Sequence, residues 1–149
     1  MESRTEYKGK NMTNLVRRLQ SWSPILLSMM RIVTAFIFIQ HGSAKLFHIP
    51  HVPMFDGVQL MSLIGLAGVI EVGGGLLLLI GLFTRPVAFI LSGEMAFAYF
   101  IAHAPHSFLP VLNGGELAIE WCFVFLYLSA AGPGAWSVDG WRGARPSAV

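Results

Sequence analysis

The feature that most constrains this chain is an apolar run at residues 62–83, which is interrupted only by Glu71 near its middle. At about 1.5 Å rise per residue, a helix of this length crosses the ~30 Å hydrocarbon core of a bilayer. A carboxylate at that depth is costly unless it is paired or protonated. The run therefore predicts a membrane-spanning helix with a buried acid, and the central question is what Glu71 faces.

The composition supports a small membrane protein of one domain. The chain has 149 residues, of which 54% are hydrophobic and 12% are charged, unlike an ordinary soluble globular protein. A net charge of +2 and the lack of a basic patch interleaved with aromatic residues exclude a nucleic-acid partner. The single cysteine, Cys122, excludes a disulfide within the chain.

The apolar segments predict an all-α membrane protein with four transmembrane helices in an antiparallel up-down bundle. The spans are expected at about residues 24–44, 62–83, 86–102 and 116–131, within a transmembrane domain of residues 23–132. Lys and Arg residues precede the first span, occur at Arg85 and follow the fourth span, whereas the other two connections contain only Lys45. This bias places both termini in the cytoplasm.

The predicted cytoplasmic tails are residues 1–22 and 133–149. Residues 1–11 are polar and aperiodic, which is typical of a disordered tail. Leu15, Val16, Leu19 and Trp22 recur at helical spacing and predict a short amphipathic helix at the membrane interface. A plain helical extension of the first span fits the same spacing.

An inner layer of charged residues is predicted from residue counting along the spans. Arg31, Glu71 and Glu94 fall within roughly 10–18 Å of the cytoplasmic edge, on three different helices. We expect Arg31 to contact Glu71, Glu94 or both, and one carboxylate of the network to stay protonated. An ion pair that only fixes the helix register is the alternative.

An outer layer of polar residues lies near the opposite face. His41 and Lys45 share a face of the first span, Glu116 and Glu120 share a face of the fourth, and His103 ends the third. These groups could bind a small polar head group, such as a quinone head, and exchange protons with it. One alternative is that the charged residues only mark the membrane interface. Another is a metal or haem site at the histidines, but the spacing of the His-x-Pro-His loops matches no standard set of ligands. No metal site is predicted.

Several strings together resemble the DoxX family of small bacterial membrane proteins. They are QHGSAKLF, GLAGVIEVGGGLLLLIGLFTRPVAF, GEMAFAYFIAHAP, LPVLNGGELAIEWCFVFLYLSAAGPG and WSVDG, and they cover about residues 31–140. The resemblance implies a four-helix bundle in the bacterial inner membrane and a link to quinone or to thiol and sulfur chemistry. The residues that match the family pattern are His41, Gly42, Lys45, Glu71, Arg85, Glu94, His103, Asn113, Glu116 and Asp139.

The functional hypothesis from the sequence is a redox-associated membrane subunit that interacts with quinone or with a small sulfur or thiol-type partner. His41, Lys45, His103, Glu116 and Glu120 are the expected catalytic residues, and Asn113, Arg85 and Asp139 form expected loop and turn motifs. The alternatives are a transporter of protons or small molecules and a non-enzymatic anchor for a soluble enzyme. Expected partners are the lipid bilayer and other membrane or soluble redox proteins, and a homo-oligomer is left open.

Overall fold

The computed structural model describes the backbone of residues 2–143 and the side chains of residues 16–143, and this part of the chain is helical with no strand. The end of the predicted second tail, residues 144–149, lies outside the described residues. The helices are α1 (Glu2–Phe47), α2 (Leu63–Ile80), α3 (Thr84–Ala98), α4 (Pro110–Asn113), α5 (Glu116–Ala131) and α6 (Val138–Gly143). A 3₁₀ turn, Pro53–Phe55, lies between α1 and α2, and a π-helical turn, Tyr99–His103, extends α3.

Three segments of the described chain are long and apolar enough to cross a membrane. They are Val16–Phe47, Leu63–Ile80 and Thr84–His103. The prediction of an all-helical membrane protein is therefore confirmed. Helix α5 has 16 residues, or about 24 Å, and is shorter than these three. The fourth span and the cytoplasmic placement of both termini stay predictions.

The first span and the segment predicted to lie at the interface belong to one helix, because α1 continues through Pro24. Proline lacks the backbone N–H that a helical residue donates. The carbonyl of Pro24 still accepts hydrogen bonds, and two of them come from outside the helical backbone ladder. Ser28 Oγ donates to the Pro24 carbonyl at 2.9 Å, and the Ala135 N–H donates to it at 3.1 Å. Helix α1 also includes the backbone of residues 2–11, for which the sequence predicted a disordered tail. The depth of residues 16–23 in the membrane stays a prediction.

Helix α1 packs mainly against α2, and α3 packs mainly against α5. Glycines let α1 and α2 approach closely: a Cβ added at Gly42 would lie 2.9 Å from the Gly68 carbonyl, and one at Gly75 would lie 2.6 Å from Ile39. Small residues at helix contacts are the usual means of close packing in membranes, where no hydrophobic effect joins helices. The residue pairing runs in opposite directions along the two helices, so they are antiparallel.

Aromatic contacts join these two helix pairs into one bundle. The ring of Phe38 on α1 meets the rings of Trp121 and Phe125 on α5 edge to face, with centroids 5.1 and 4.8 Å apart. Such pairs contribute about 0.5–1.5 kcal/mol beyond the area that they bury. All four long helices therefore share one interior, which is made up of Ala35, Phe38, Leu78, Ala88, Leu91, Met95, Trp121, Phe125 and Leu128.

Candidate functional site

A buried ion pair joins α1 to α2. Lys45 Nζ lies 2.5 Å from Glu71 Oε1, and the two side chains are 14% and 2% exposed. The Lys45 side chain starts beside Gly68, where a Cβ would be 3.1 Å from Lys45 Cβ, and it reaches along α2 to Glu71. A glycine at position 68 therefore leaves the space through which the lysine stem passes.

Glu94 on α3 lies level with Glu71. A Cβ added at Gly74 would lie 2.8 Å from a Leu91 side-chain carbon, so these two positions face each other across α2 and α3. Helices α2 and α3 are joined by a tight turn and run antiparallel. Glu71 is three residues before Gly74 and Glu94 is three residues after Leu91, so the two acids lie opposite each other. A charge on Glu94 would be repelled by that of Glu71 and attracted by that of Lys45. Both Glu94 oxygens and Glu71 Oε2 are buried without a hydrogen-bond partner.

His41 adds a titratable group to the same region. It lies one helical turn before Lys45 on α1, so a proton on its ring would face the positive charge of Lys45. Its ring meets the Trp121 ring edge to face at 4.7 Å, which places it in the bundle interior against α5. We call His41, Lys45, Glu71 and Glu94 the buried polar cluster; it combines residues that the sequence placed in two separate layers.

An apolar cleft adjoins this cluster. It has a volume of about 390 Å³ and is lined by Lys45, Leu46, Phe47, Val58 and Leu60, where the end of α1 meets the loop before α2. The Lys45 ammonium also lies 5.7 Å from the centre of the Phe55 ring, within cation–π range. The cleft is at the small end of the range for ligand pockets. Lys45 is the residue that connects it to the buried acids.

The predicted contact of Arg31 with Glu71 or Glu94 is wrong. Arg31 is fully buried, but its guanidinium donates to four backbone carbonyls: those of Leu78, Leu79, Pro133 and Trp136. The first two are at the C-terminal end of α2, where the carbonyl ends of the helix make a cation favourable. Residue counting gave the depth of Arg31 only approximately and could not show that backbone carbonyls would satisfy it.

The chain after α5, residues 132–143, folds back over this end of the bundle, and we call it the C-terminal strap. Beyond the two bonds that it accepts from Arg31, the strap donates the Trp136 N–H to Ser28 Oγ at 3.0 Å. The Gly81 carbonyl accepts the Asp139 N–H at 3.0 Å. The strap therefore closes the end of the bundle at which α2 turns into α3.

Two predicted turn residues, Arg85 and Asp139, act at this end. Arg85 donates to the carbonyls of Ser129, Ala130 and Ala131 at the C-terminus of α5. Asp139 accepts the N–H groups of Phe83 (2.9 Å) and Thr84 (2.8 Å) at the start of α3. Partial burial acts to raise the pKa of Asp139, but these two backbone bonds and Arg142 together hold that pKa below its usual value.

The remaining predicted residues lie at the opposite end of the bundle. His103 Nδ1 is 3.0 Å from the Asn113 carbonyl, and its ring stacks on that of Tyr99 with centroids 6.4 Å apart. Asn113 also closes its own loop, by donating to the Ser107 carbonyl and accepting the Gly115 N–H. Glu116 and Glu120 are exposed and are not among the groups of the buried polar cluster.

Sequence reasoning missed three features of this arrangement. The first is the Lys45–Glu71 pair, for which the signal was the glycine-rich face of α2. The second is the contact of His41 with Trp121, for which no sequence signal is evident. The third is the π-helical turn that carries His103; such turns are frequent at functional sites. Among the described residues, no group of three or more His, Cys, Asp or Glu could hold a metal ion.

The fold and the buried charges define a small helical integral membrane protein with a polar cluster inside an apolar bundle. The chain belongs to the DoxX family, whose model matches residues 26–104. Together with the apolar helices and the relatives below, this supports a bacterial membrane location and contact with the lipid bilayer.

Two bacterial relatives cover most of this chain. An uncharacterized protein of Haemophilus influenzae is 43% identical over 129 residues, which are 83% of this chain and 96% of the relative. The inner membrane protein YphA of Escherichia coli is 32% identical over 131 residues, which are 78% of this chain and 89% of that protein. No solved structure matches the chain.

Proposed function

We propose that the protein is a redox-associated inner-membrane subunit that binds a quinone-like or small sulfur or thiol-type partner. The proposal also keeps the fourth span at α5 and both termini in the cytoplasm. The observation that carries it is the position of Lys45, which lines an apolar cleft while its ammonium bonds to the buried Glu71. A ligand in the cleft would thus meet a hydrogen-bond donor that is in direct contact with a proton-exchanging acid.

The residues of the cleft fit a quinone head. Leu46, Phe47, Val58 and Leu60 form apolar walls, and Lys45 offers an N–H donor for a ring carbonyl. A bound quinone would supply the capacity to take up electrons together with protons. In this proposal Lys45 orients the head, Glu71 and Glu94 hold protons, and His41 exchanges protons with them.

The other predicted catalytic residues have a subsidiary part in the proposal. His103 is held by Asn113 at the same end of the bundle as the cleft and would pass protons to solvent. Glu116 and Glu120 are exposed and would act as acceptors at the outer surface. None of these three residues lines the cleft.

The test compares two tryptophan substitutions at neighbouring positions. Leu60→Trp fills the cleft, whereas Met61→Trp changes the next residue, which is 85% exposed and does not line the cleft. We expect Leu60→Trp to abolish decylubiquinone binding to the purified protein in lipid nanodiscs, and Met61→Trp to retain it. Equal binding by both variants, or no binding by the unmodified protein, would refute the quinone proposal.

A proton-coupled transporter is the second candidate. It is favoured by the carboxylate oxygens of Glu71 and Glu94 that are buried without partners among the apolar spans, because such acids often mark proton pathways. Proton flux in proteoliposomes without any redox partner, abolished by Glu94→Gln, would support this candidate over the first.

A non-enzymatic anchor is the third candidate. The exposed rings of Trp136 and Trp141 on the C-terminal strap offer a surface on which a soluble protein could dock. Co-purification of a soluble enzyme that is lost when both tryptophans are replaced by alanine, with the bundle still folded, would support it.

A further inference from the structure

The charges of the buried polar cluster do not balance. Lys45 carries one positive charge, whereas Glu71 and Glu94 would carry two negative charges if both were ionised. Three of their four carboxylate oxygens have no hydrogen-bond partner in the structure. An uncompensated charge inside a membrane-spanning bundle is costly, because neither water nor a counter-ion solvates it there.

No other described charge is placed to restore the balance. From α1 the cluster is faced by His41 and Lys45, and from α2 by Glu71. Helix α5 contributes the Trp121 ring, while its acids Glu116 and Glu120 are exposed. Arg31 is occupied by the backbone carbonyls at the other end of the bundle. The group that balances the cluster is therefore a proton. On His41 that proton would put a second positive charge one helical turn from Lys45, whereas Glu94 is the carboxyl without a cation bonded to it, so we assign the proton to Glu94.

We propose that the resting cluster holds one proton on Glu94, and that the cleft takes an amphiphile with a monoanionic head, whose binding to Lys45 brings a second proton onto Glu71. When the ammonium of Lys45 turns from Glu71 to the head group, Glu71 loses its cation and takes a proton from solvent. The ligand then contributes one negative charge, Lys45 one positive charge, and both acids are neutral. The site is electroneutral in both states.

The cleft supports this class of ligand. Its walls beyond Lys45 are the apolar side chains of Leu46, Phe47, Val58 and Leu60, which suit an alkyl or aryl tail. An ionised quinol, a thiolate or a sulfonate with an apolar tail has the required charge. The inference uses the same cleft as the proposed function and rests on it, but it specifies the charge of the ligand and the proton that accompanies it.

The first experiment examines the resting protein without any ligand. Infrared spectra at neutral pH should contain the carbonyl stretch of a protonated carboxylic acid, which Glu94→Gln removes. Glu116→Gln, which changes an exposed acid, is the control and should retain the band. Glutamine resembles a neutral carboxyl, so Glu94→Gln is expected to fold normally. If the unmodified protein lacks the band, or if Glu94→Gln retains it, the resting proton is not on Glu94 and the inference is overturned.

The second experiment measures proton uptake on binding. Decanesulfonate is the probe, because its head group stays ionised and cannot itself take a proton near neutral pH. Added to the protein in weakly buffered nanodiscs, it should bind with uptake of about one proton per bound molecule, since the folded site holds one proton more in the bound state. Decanol, which has the same tail and no charge, should cause no uptake.

Variants distinguish this inference from the proposed function. Lys45→Met and Leu60→Trp should both abolish uptake, while Met61→Trp should retain it. If decanesulfonate binds without proton uptake, the inference fails even where decylubiquinone binding and the redox proposal stand. If uptake occurs but no quinone binds, the redox proposal fails and the proton-coupled anion site remains.

Discussion

Replacing Lys45 by methionine tests the central contact of the structure. Methionine keeps most of the length and apolar volume of lysine but removes the ammonium that lies 2.5 Å from Glu71 Oε1. Two unit charges about 4 Å apart attract by about 4 kcal/mol at the effective dielectric constant that suits protein sites. Since Glu71 is 2% exposed, removing its partner leaves a buried carboxyl that must either stay charged or take a proton.

The expected loss of stability follows from that choice. Breaking a buried ion pair by removing one partner costs about 3–5 kcal/mol. For a chain of this size, a loss of about 3 kcal/mol lowers the melting temperature by roughly 6–12 °C. The double variant Lys45→Met with Glu71→Gln has no unpaired charge in the pair, and we expect it to recover more than half of the loss.

The single cysteine provides the assay. Cys122 is partly buried, its Sγ lies 3.6 Å from Ser92 Oγ, and a fluorescent thiol reagent would report its exposure on heating in mild detergent. Glu116→Gln serves as the control, because changing an exposed acid should alter stability by less than about 0.5 kcal/mol. The reasoning is refuted if Lys45→Met has the same melting temperature as the unmodified protein, or if the double variant has a lower melting temperature than Lys45→Met. In either case the ion pair does not hold α1 against α2.

Two further predictions concern the helix contact and the strap. Gly42→Val should lower stability by about 1–3 kcal/mol, because a Cβ there would lie 2.8 Å from Val72 and 2.9 Å from the Gly68 carbonyl; Gly73→Ala, with open space around it, should be neutral in the same melting assay. Asp139→Asn should weaken docking of the strap by about 1–2 kcal/mol, measured by quenching of tryptophan fluorescence. Because the folded-state pKa of Asp139 is lowered, its contribution is complete above the ordinary carboxyl pKa and is lost as pH falls through the lower folded value. On acidification, release of the strap in the unmodified protein but not in Asp139→Asn would support this assignment. Identical pH profiles of strap release in the two proteins would contradict it.

The spans and the presence of buried charges could be predicted because they depend on local composition. The hydropathy of residues 62–83 requires a membrane helix whatever the rest of the chain does, and Glu71 within it requires a partner or a proton. The resemblance to the DoxX family, which the family match confirms, rested on the same apolar strings and turn motifs.

Partner choice could not be predicted, because it depends on helix register and rotation. Counting residues placed Arg31, Glu71 and Glu94 at one depth. Arg31 instead donates hydrogen bonds to carbonyls at the end of α2 and in the strap. Lys45 was placed near the outer surface, but its four-carbon stem passes Gly68 and reaches inward to Glu71. A depth estimate describes where a Cα lies, whereas a long side chain extends over more than one helical turn.

The sequence by itself determined that this chain forms apolar helices and that its few internal charges must be compensated there, because both follow from the transfer of side chains out of water. The tertiary structure decided which groups compensate them. Close contact at Gly42 and Gly68 sets the register of α1 on α2, and only that register brings Lys45 to Glu71. Arg31 is satisfied by backbone carbonyls at the end of α2 and in the strap. Every residue has such a carbonyl, so no sequence pattern marks the ones that are used.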